Sequence, residues 1–112
     1  MTIAEMQTYL SGILGFEGKV AYRSFPEKAA VPLPFIVFID TAPVEFFADN
    51  VNYYTLPTYQ VELYEKYRDP SLELLIEAKL MALGITFTRE VGYLDTEKCW
   101  MVAYSFTTKE AN

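Results

Sequence analysis

Residues able to do chemistry are few in this chain, and the gaps among them are informative. There is no histidine. Serine or cysteine triads that depend on an imidazole base therefore cannot be built, nor can the usual histidine-containing zinc sites. The single cysteine, Cys99, stands in an apolar stretch with Lys98 beside it and reads as a buried, inert thiol. One cysteine closes no internal disulfide, in keeping with a reducing compartment. Carboxylates can act in pairs, as in glycoside cleavage, and two groups lie close in sequence: Asp40, Glu45 and Asp49, then Glu90, Asp95 and Glu97. Each group falls at a strand end or turn, where acidic side chains serve local hydrogen bonding and solubility. The structural reading is preferred for both. No calcium loop, phosphate loop or dinucleotide fingerprint can be assembled from the five scattered glycines. The expectation is a protein that is not an enzyme, with no catalytic residue, cofactor or metal.

Composition narrows the class further. At 112 residues, 52% apolar and 21% charged, the chain reads as a single domain spanning residues 1–112, able to bury about two thirds of its surface. No apolar run approaches the ~20 residues that span a bilayer, so no membrane partner is expected. The first sixteen residues lack the basic start and continuous apolar centre of a secretion signal, which predicts that the protein stays where it is made. A net charge of −6 repels the phosphate backbone, and the nine basic residues are spread singly, so sequence-specific nucleic-acid binding is not expected.

The elements that must position these side chains follow from periodicity. Thr2 and Glu5 have capping-box spacing, and Ile3, Met6, Leu10, Ile13 and Leu14 recur at helical steps up to Gly15, which predicts a helix over 3–14. A short strand is expected over 19–25. The run FIVFI, residues 35–39, lies between Pro34 and Asp40 and predicts an interior strand. Residues 51–66 alternate with a break at Pro57, which implies a bulge or an edge position; one long bent strand is favoured over a hairpin of two short ones. In its second half Tyr59, Val61 and Leu63 face one way and Gln60, Glu62 and Tyr64 the other. Asp69-Pro70 begins a second helix over 70–83, with Leu72, Leu75, Ile76, Leu80 and Leu83 on one stripe. Strands over 86–93 and 99–107 flank residues 95–98 as a terminal hairpin, with Trp100, Val102, Tyr104 and Phe106 on one face. The predicted fold is α+β: two helices packed on a mostly antiparallel sheet of about five strands, in the order helix, strands, helix, hairpin.

One positive signal stands out against this background. Eighteen residues are aromatic, nine of them tyrosine, a composition that matches protein interfaces and equally matches half-buried strand faces. Phe46, Phe47, Tyr53 and Tyr54 crowd around the turn-forming Asp49 and Asn50. Adjacent strand residues point to opposite faces, so one core cannot absorb both members of each pair. Phe46, Phe47, Asp49, Tyr53 and Tyr54 are therefore the candidate interface residues.

Several segments carry a family resemblance: Tyr22-Arg23-Ser24-Phe25-Pro26, Leu33-Pro34-Phe35-Ile36-Val37, Phe47-Ala48-Asp49-Asn50, Gln60-Val61-Glu62-Leu63-Tyr64, the capped second helix and the closing Tyr104-Ser105-Phe106. With the element order, they resemble the small tail-terminator (tail-completion, minor tail) proteins of long-tailed bacteriophages and prophages of Gram-positive bacteria. The resemblance spans nearly the whole chain but contains no diagnostic chemical motif. It implies a structural protein assembled in the host cytoplasm and carried in the virion, at the head-proximal end of the tail. Its copies would form a ring, six-fold in this family, that caps the tail tube, stops its growth and meets a head-tail connector protein. Such a ring is heterologous, and an acidic lining would let DNA slide past without adhering. The alternative within the class is a neck or head-completion protein on the portal side. From a different class, two helices over a curved sheet could enclose a small-ligand pocket, with Glu62 as its inward-facing carboxylate.

Overall fold

Both helices start where the sequence sets their caps. Thr2 Oγ1 accepts from Glu5 N at 3.1 Å while Glu5 Oε1 accepts from Thr2 N at 2.8 Å, the reciprocal box that opens α1 (Ile3–Ser11). Asp69 Oδ1 accepts from Leu72 N at 3.2 Å to cap α2 (Pro70–Met81), whose first residue is proline. The computed structural model describes residues 1–25, 31–48 and 51–108, with side chains described outside 42–48 and 51–56.

Each helix is shorter than its apolar periodicity predicts. α1 stops at Ser11 instead of continuing to residue 14, because Ser11-Gly12 favours a sequence of tight turns: Ile13 N donates to Leu10 O and Phe16 N to Ile13 O. Those turns bring Ile13 and Phe16 into the core and leave Leu14 86% exposed, so Leu14 is not part of the core stripe. α2 stops at Met81, and Gly84, at φ +73°, donates to Met81 O to close the exit.

Five strands form one sheet: β1 (Val20–Tyr22), β2 (Phe35–Ala48), β3 (Val51–Glu65), β4 (Phe87–Leu94) and β5 (Cys99–Thr107), in the order β1-β2-β3-β5-β4. Three neighbouring pairs are antiparallel and β1–β2 is parallel, so the sheet is mixed. The dozen residues between β1 and β2 supply the crossover that a parallel pair requires. Fold class is thus α+β, with the expected helices, strand count and element order.

Both helices cover one face of that sheet. Met6 and Leu10 of α1 and Ile76 and Leu80 of α2 pack with Ile36, Phe38, Tyr59, Val61, Leu63, Val102, Tyr104 and Phe106, all buried. These strand residues share one parity in the register, as alternation dictates. The space between helices and sheet is filled by these side chains. Glu62 lies on the opposite face, where Gln60 Nε2 and Tyr64 OH donate to its carboxylate at 2.8 and 3.0 Å. It is not the inward carboxylate of a ligand pocket, because its register position points it away from the helices.

Candidate assembly surface

β2 and β3 are much longer than the sheet they belong to. β1 pairs with β2 over 36–38, and β5 pairs with β3 over 58–65. Beyond Thr41 and Thr58 the two strands continue as a two-stranded arm, with Val44 opposite Leu56, Glu45 opposite Thr55, Phe46 opposite Tyr54, Phe47 opposite Asn52 and Ala48 opposite Val51. Among the described residues, no strand pairs with the outer edge of either arm strand.

The arm leaves the sheet at its prolines. Between the Thr41–Thr58 and Val44–Leu56 pairs two residues, Ala42 and Pro43, face the single Pro57, which makes a bulge. Neither proline has an N–H to offer a ladder, so pairing is interrupted where both occur. Pro57 O accepts from Thr108 N at 2.8 Å and from Thr108 Oγ1 at 3.1 Å, which anchors the base of the arm to the end of β5. The break expected at Pro57 is therefore met by a bulge in the facing strand β2, while Val51–Glu65 runs through as one long strand.

The aromatic segment differs from its sequence reading. Phe46 and Phe47 belong to paired strand, not to a turn, because β2 runs on to Ala48 instead of stopping at Ile39, while Tyr53 and Tyr54 lie on the strand expected over 51–66. A second register shift between Phe46 and Phe47 leaves Tyr53 as the extra residue of a bulge near the tip. Asp49 lies outside the described residues.

Global dimensions agree with a projecting arm. The extents are 49 × 29 × 27 Å and the radius of gyration is 15.1 Å, where a compact chain of this length has about 13 Å. The accessible surface is 7089 Å², some 800 Å² more than the roughly 6,300 Å² of a compact chain of this mass. Isolated two-stranded hairpins are marginal in water, so an arm of this kind gains from being covered.

At the other end of the same strands, the face turned away from the helices is apolar. Phe35 stacks on Tyr64 with ring centroids 5.1 Å apart and meets Phe25 edge-on at 5.2 Å. With Leu33, Val37 and Leu94 they line a groove of about 490 Å³. Cys99 also lines it; the residue is 3% exposed, and burial pushes its thiol pKa up, which holds it as the unreactive thiol. One lip carries Arg23, whose side chain is 66% exposed and pairs with Asp40 at 3.3 Å; the other carries Glu97.

A buried charge cluster fastens α2 to the sheet, and sequence reading missed it. Glu65 and Glu73 are each 2% exposed. Arg68 Nε and Nη2 donate to the two oxygens of Glu73, both at 2.8 Å, and Arg89 of β4 donates to the same carboxylate. Tyr104 OH donates to Glu77 Oε2 at 3.0 Å, and Glu65 Oε1 accepts from Asp69 N. The signal was available: Glu65 continues the alternation of Tyr59, Val61 and Leu63, and Glu73 precedes Ile76 and Leu80 by three and seven positions.

The two carboxyls hold opposite protonation preferences. The fork from Arg68, seconded by Arg89, depresses the Glu73 pKa, while burial, then the hydrogen bond to Glu73 and its negative charge, raise that of Glu65. Among the described residues, Glu65 Oε2 is a buried side-chain oxygen without a hydrogen-bond partner, an environment that disfavours a charge on this carboxyl. A raised pKa in the folded state means that Glu65 contributes fully below the ordinary carboxylate range and loses that contribution as pH rises through its folded value. Glu73 works the other way, losing its contribution as pH falls below that range. Stability to urea is therefore expected to peak in mildly acidic solution and to fall by up to about 1.4 kcal/mol per pH unit on moving toward mild alkali. Glu65→Gln should flatten that slope; an unchanged slope would show that Glu65 is ionised in the fold.

The cluster acts as a clamp between elements, and its Glu65, Arg68 and Asp69 also line an open groove of about 340 Å³ together with Leu33, Pro34 and Tyr67. Among the described residues no group of three or more acidic or sulfur side chains is placed to hold a metal ion, and no helix is long and apolar enough to cross a membrane. No protein-family model matches the chain, and no curated protein matches it.

Proposed function

We propose that the chain is a non-enzymatic structural subunit whose copies close into a ring, six-fold by the family it resembles. The ring sits at the head-proximal end of a phage tail tube, ends tube growth and helps join tail to head. Partners on this reading are other copies of the chain, the tail-tube protein and a head-tail connector protein. The observation that carries the reading is the two-stranded arm, whose sequence is apolar on adjacent positions and whose outer edges meet no strand among the described residues. Open edges invite pairing with another chain, and a patch that differs from its acceptor builds rings when the rotation closes. The net charge of −6 supports a conduit that DNA crosses without adhering.

Removing the chain from a phage that encodes it should give tails of uncontrolled length or tails that fail to join heads. Particles of normal length and infectivity would refute the proposal. Electron micrographs of lysates read both outcomes.

A further inference from the structure

We propose that the segment from Lys66 to Ser71 is a latch held shut by the proton on Glu65: when Glu65 ionises, this segment and the first turn of α2 lift and admit water, while the rest of the fold stays intact. The device stands apart from the ring reading. It rests first on a juxtaposition in the chain. Glu65 and Glu73 are each 2% exposed, and the six residues from Lys66 to Ser71 between them are all exposed. A segment that buries little of its own can open without breaking the core, so its opening needs less free energy than global unfolding. The groove of about 340 Å³ beside Glu65, walled by Leu33, Pro34, Tyr67 and Leu72, gives water its path.

Charge balance is what the proton preserves. The groups gathered with Glu65 are Arg68 and Asp69 of the connecting segment, Glu73 and Glu77 of α2, Arg89 of β4 and Tyr104 of β5. Tyr104 is a phenol that donates to Glu77, and Asp69 spends its charge on the α2 N-terminus by capping Leu72 N. There remain the guanidiniums of Arg68 and Arg89 against the carboxylates of Glu73 and Glu77, two charges of each sign. A third carboxylate at Glu65 finds no cation left to pair with, and an unpaired charge out of water is costly. Protonated, Glu65 is neutral and still accepts from Asp69 N at 3.2 Å, which ties the segment down. Arg68 makes a second tie through its fork on Glu73 and through the Trp100 ring, 5.7 Å away. Burial, then the hydrogen bond to Glu73 and its negative charge, raise the Glu65 pKa in the closed form, whereas an opened, hydrated carboxyl returns to the ordinary range. Opening is thus linked to the loss of one proton, and the open fraction rises about tenfold per pH unit between the ordinary value and the raised one.

Native-state hydrogen exchange of the full chain, from about pH 5 to about pH 7.5, tests the latch. The amides of Asp69 and Leu72, which donate to Glu65 and Asp69, should exchange about a hundredfold faster per pH unit, about tenfold from base catalysis and about tenfold from opening. They should also open at a lower free energy than the amides of Val61 and Val102 in the core. Glu65→Gln, which cannot ionise, should reduce the rise to the roughly tenfold of base catalysis alone. A roughly tenfold rise in the unaltered chain would overturn the latch, and so would Asp69 and Leu72 amides that open only together with Val61 and Val102. A hundredfold rise, roughly, that persists in Glu65→Gln would overturn the assignment of the proton to Glu65. Where that variant does not fold, the comparison of the two sets of amides within the unaltered chain still decides.

Discussion

Phe47→Asp combined with Tyr53→Asp should abolish self-assembly while leaving the subunit folded. Both residues lie in the arm, beyond the stretches of β2 and β3 that pair with β1 and β5, whereas the cluster of Ile36, Phe38, Val61 and Val102 that holds helices to sheet lies within those stretches. Unfolding in urea should therefore shift by no more than about 0.5 kcal/mol, as for surface changes elsewhere. Association is a different matter. Aromatic anchors seated in an interface cost about 2 kcal/mol or more each when removed, and a carboxylate driven into an apolar contact adds its desolvation. Two such changes amount to about 4 kcal/mol, or roughly a thousandfold in the association constant. Sedimentation velocity across a concentration series measures the loss directly. Assembly that survives the double change would show that the arm is not the contact.

Glu73→Gln should be the most damaging conservative change in the subunit. The carboxylate it removes takes the fork of Arg68 and a further bond from Arg89, and so links residue 68, helix α2 and edge strand β4 at one point. Taking one partner from a buried ion pair usually costs 3–5 kcal/mol, roughly, because the remaining charges stay desolvated. Here the two arginine side chains are 36% and 39% exposed and can recover part of their hydration. The expected loss is therefore about 2–3 kcal/mol. Position 73 also lies near the positive end of α2, where a carboxylate is favoured over an amide. Glu65→Gln is the contrasting variant: an amide oxygen can still accept from Asp69 N and the amide is uncharged like the protonated carboxyl it replaces, so its cost near pH 5 should stay below about 1 kcal/mol. Equal effects of the two changes would contradict the assignment of charge to Glu73 and proton to Glu65.

Much of the framework was legible in the sequence because local rules and tertiary packing agree there. Thr2-Glu5 and Asp69-Pro70 fix helix starts through backbone N–H groups that only nearby side chains can reach, and the alternation of Tyr59, Val61 and Leu63 fixes which face meets the helices. What was not legible depends on distant partners. The parallel pairing of β1 with β2 is set by the crossover between them, not by any feature of Val20–Tyr22. The extent of β2 was misjudged because Phe46 and Phe47 were read with the turn, whereas their pairing partners are on β3. Glu65 and Glu73 were passed over because their burial is tolerable only with Arg68 and Arg89, residues whose meeting no local pattern announces. The groove likewise draws on Phe25, Phe35, Tyr64 and Leu94, which are neighbours only across the finished sheet.

Negative-stain electron microscopy of the purified chain, concentrated alone and mixed with tail tubes, examines ring assembly most directly. Class averages showing closed six-fold rings, free or seated on one end of each tube, are the expected result. Particles that remain single subunits under both conditions, or that associate as two-fold pairs or open filaments, would contradict it.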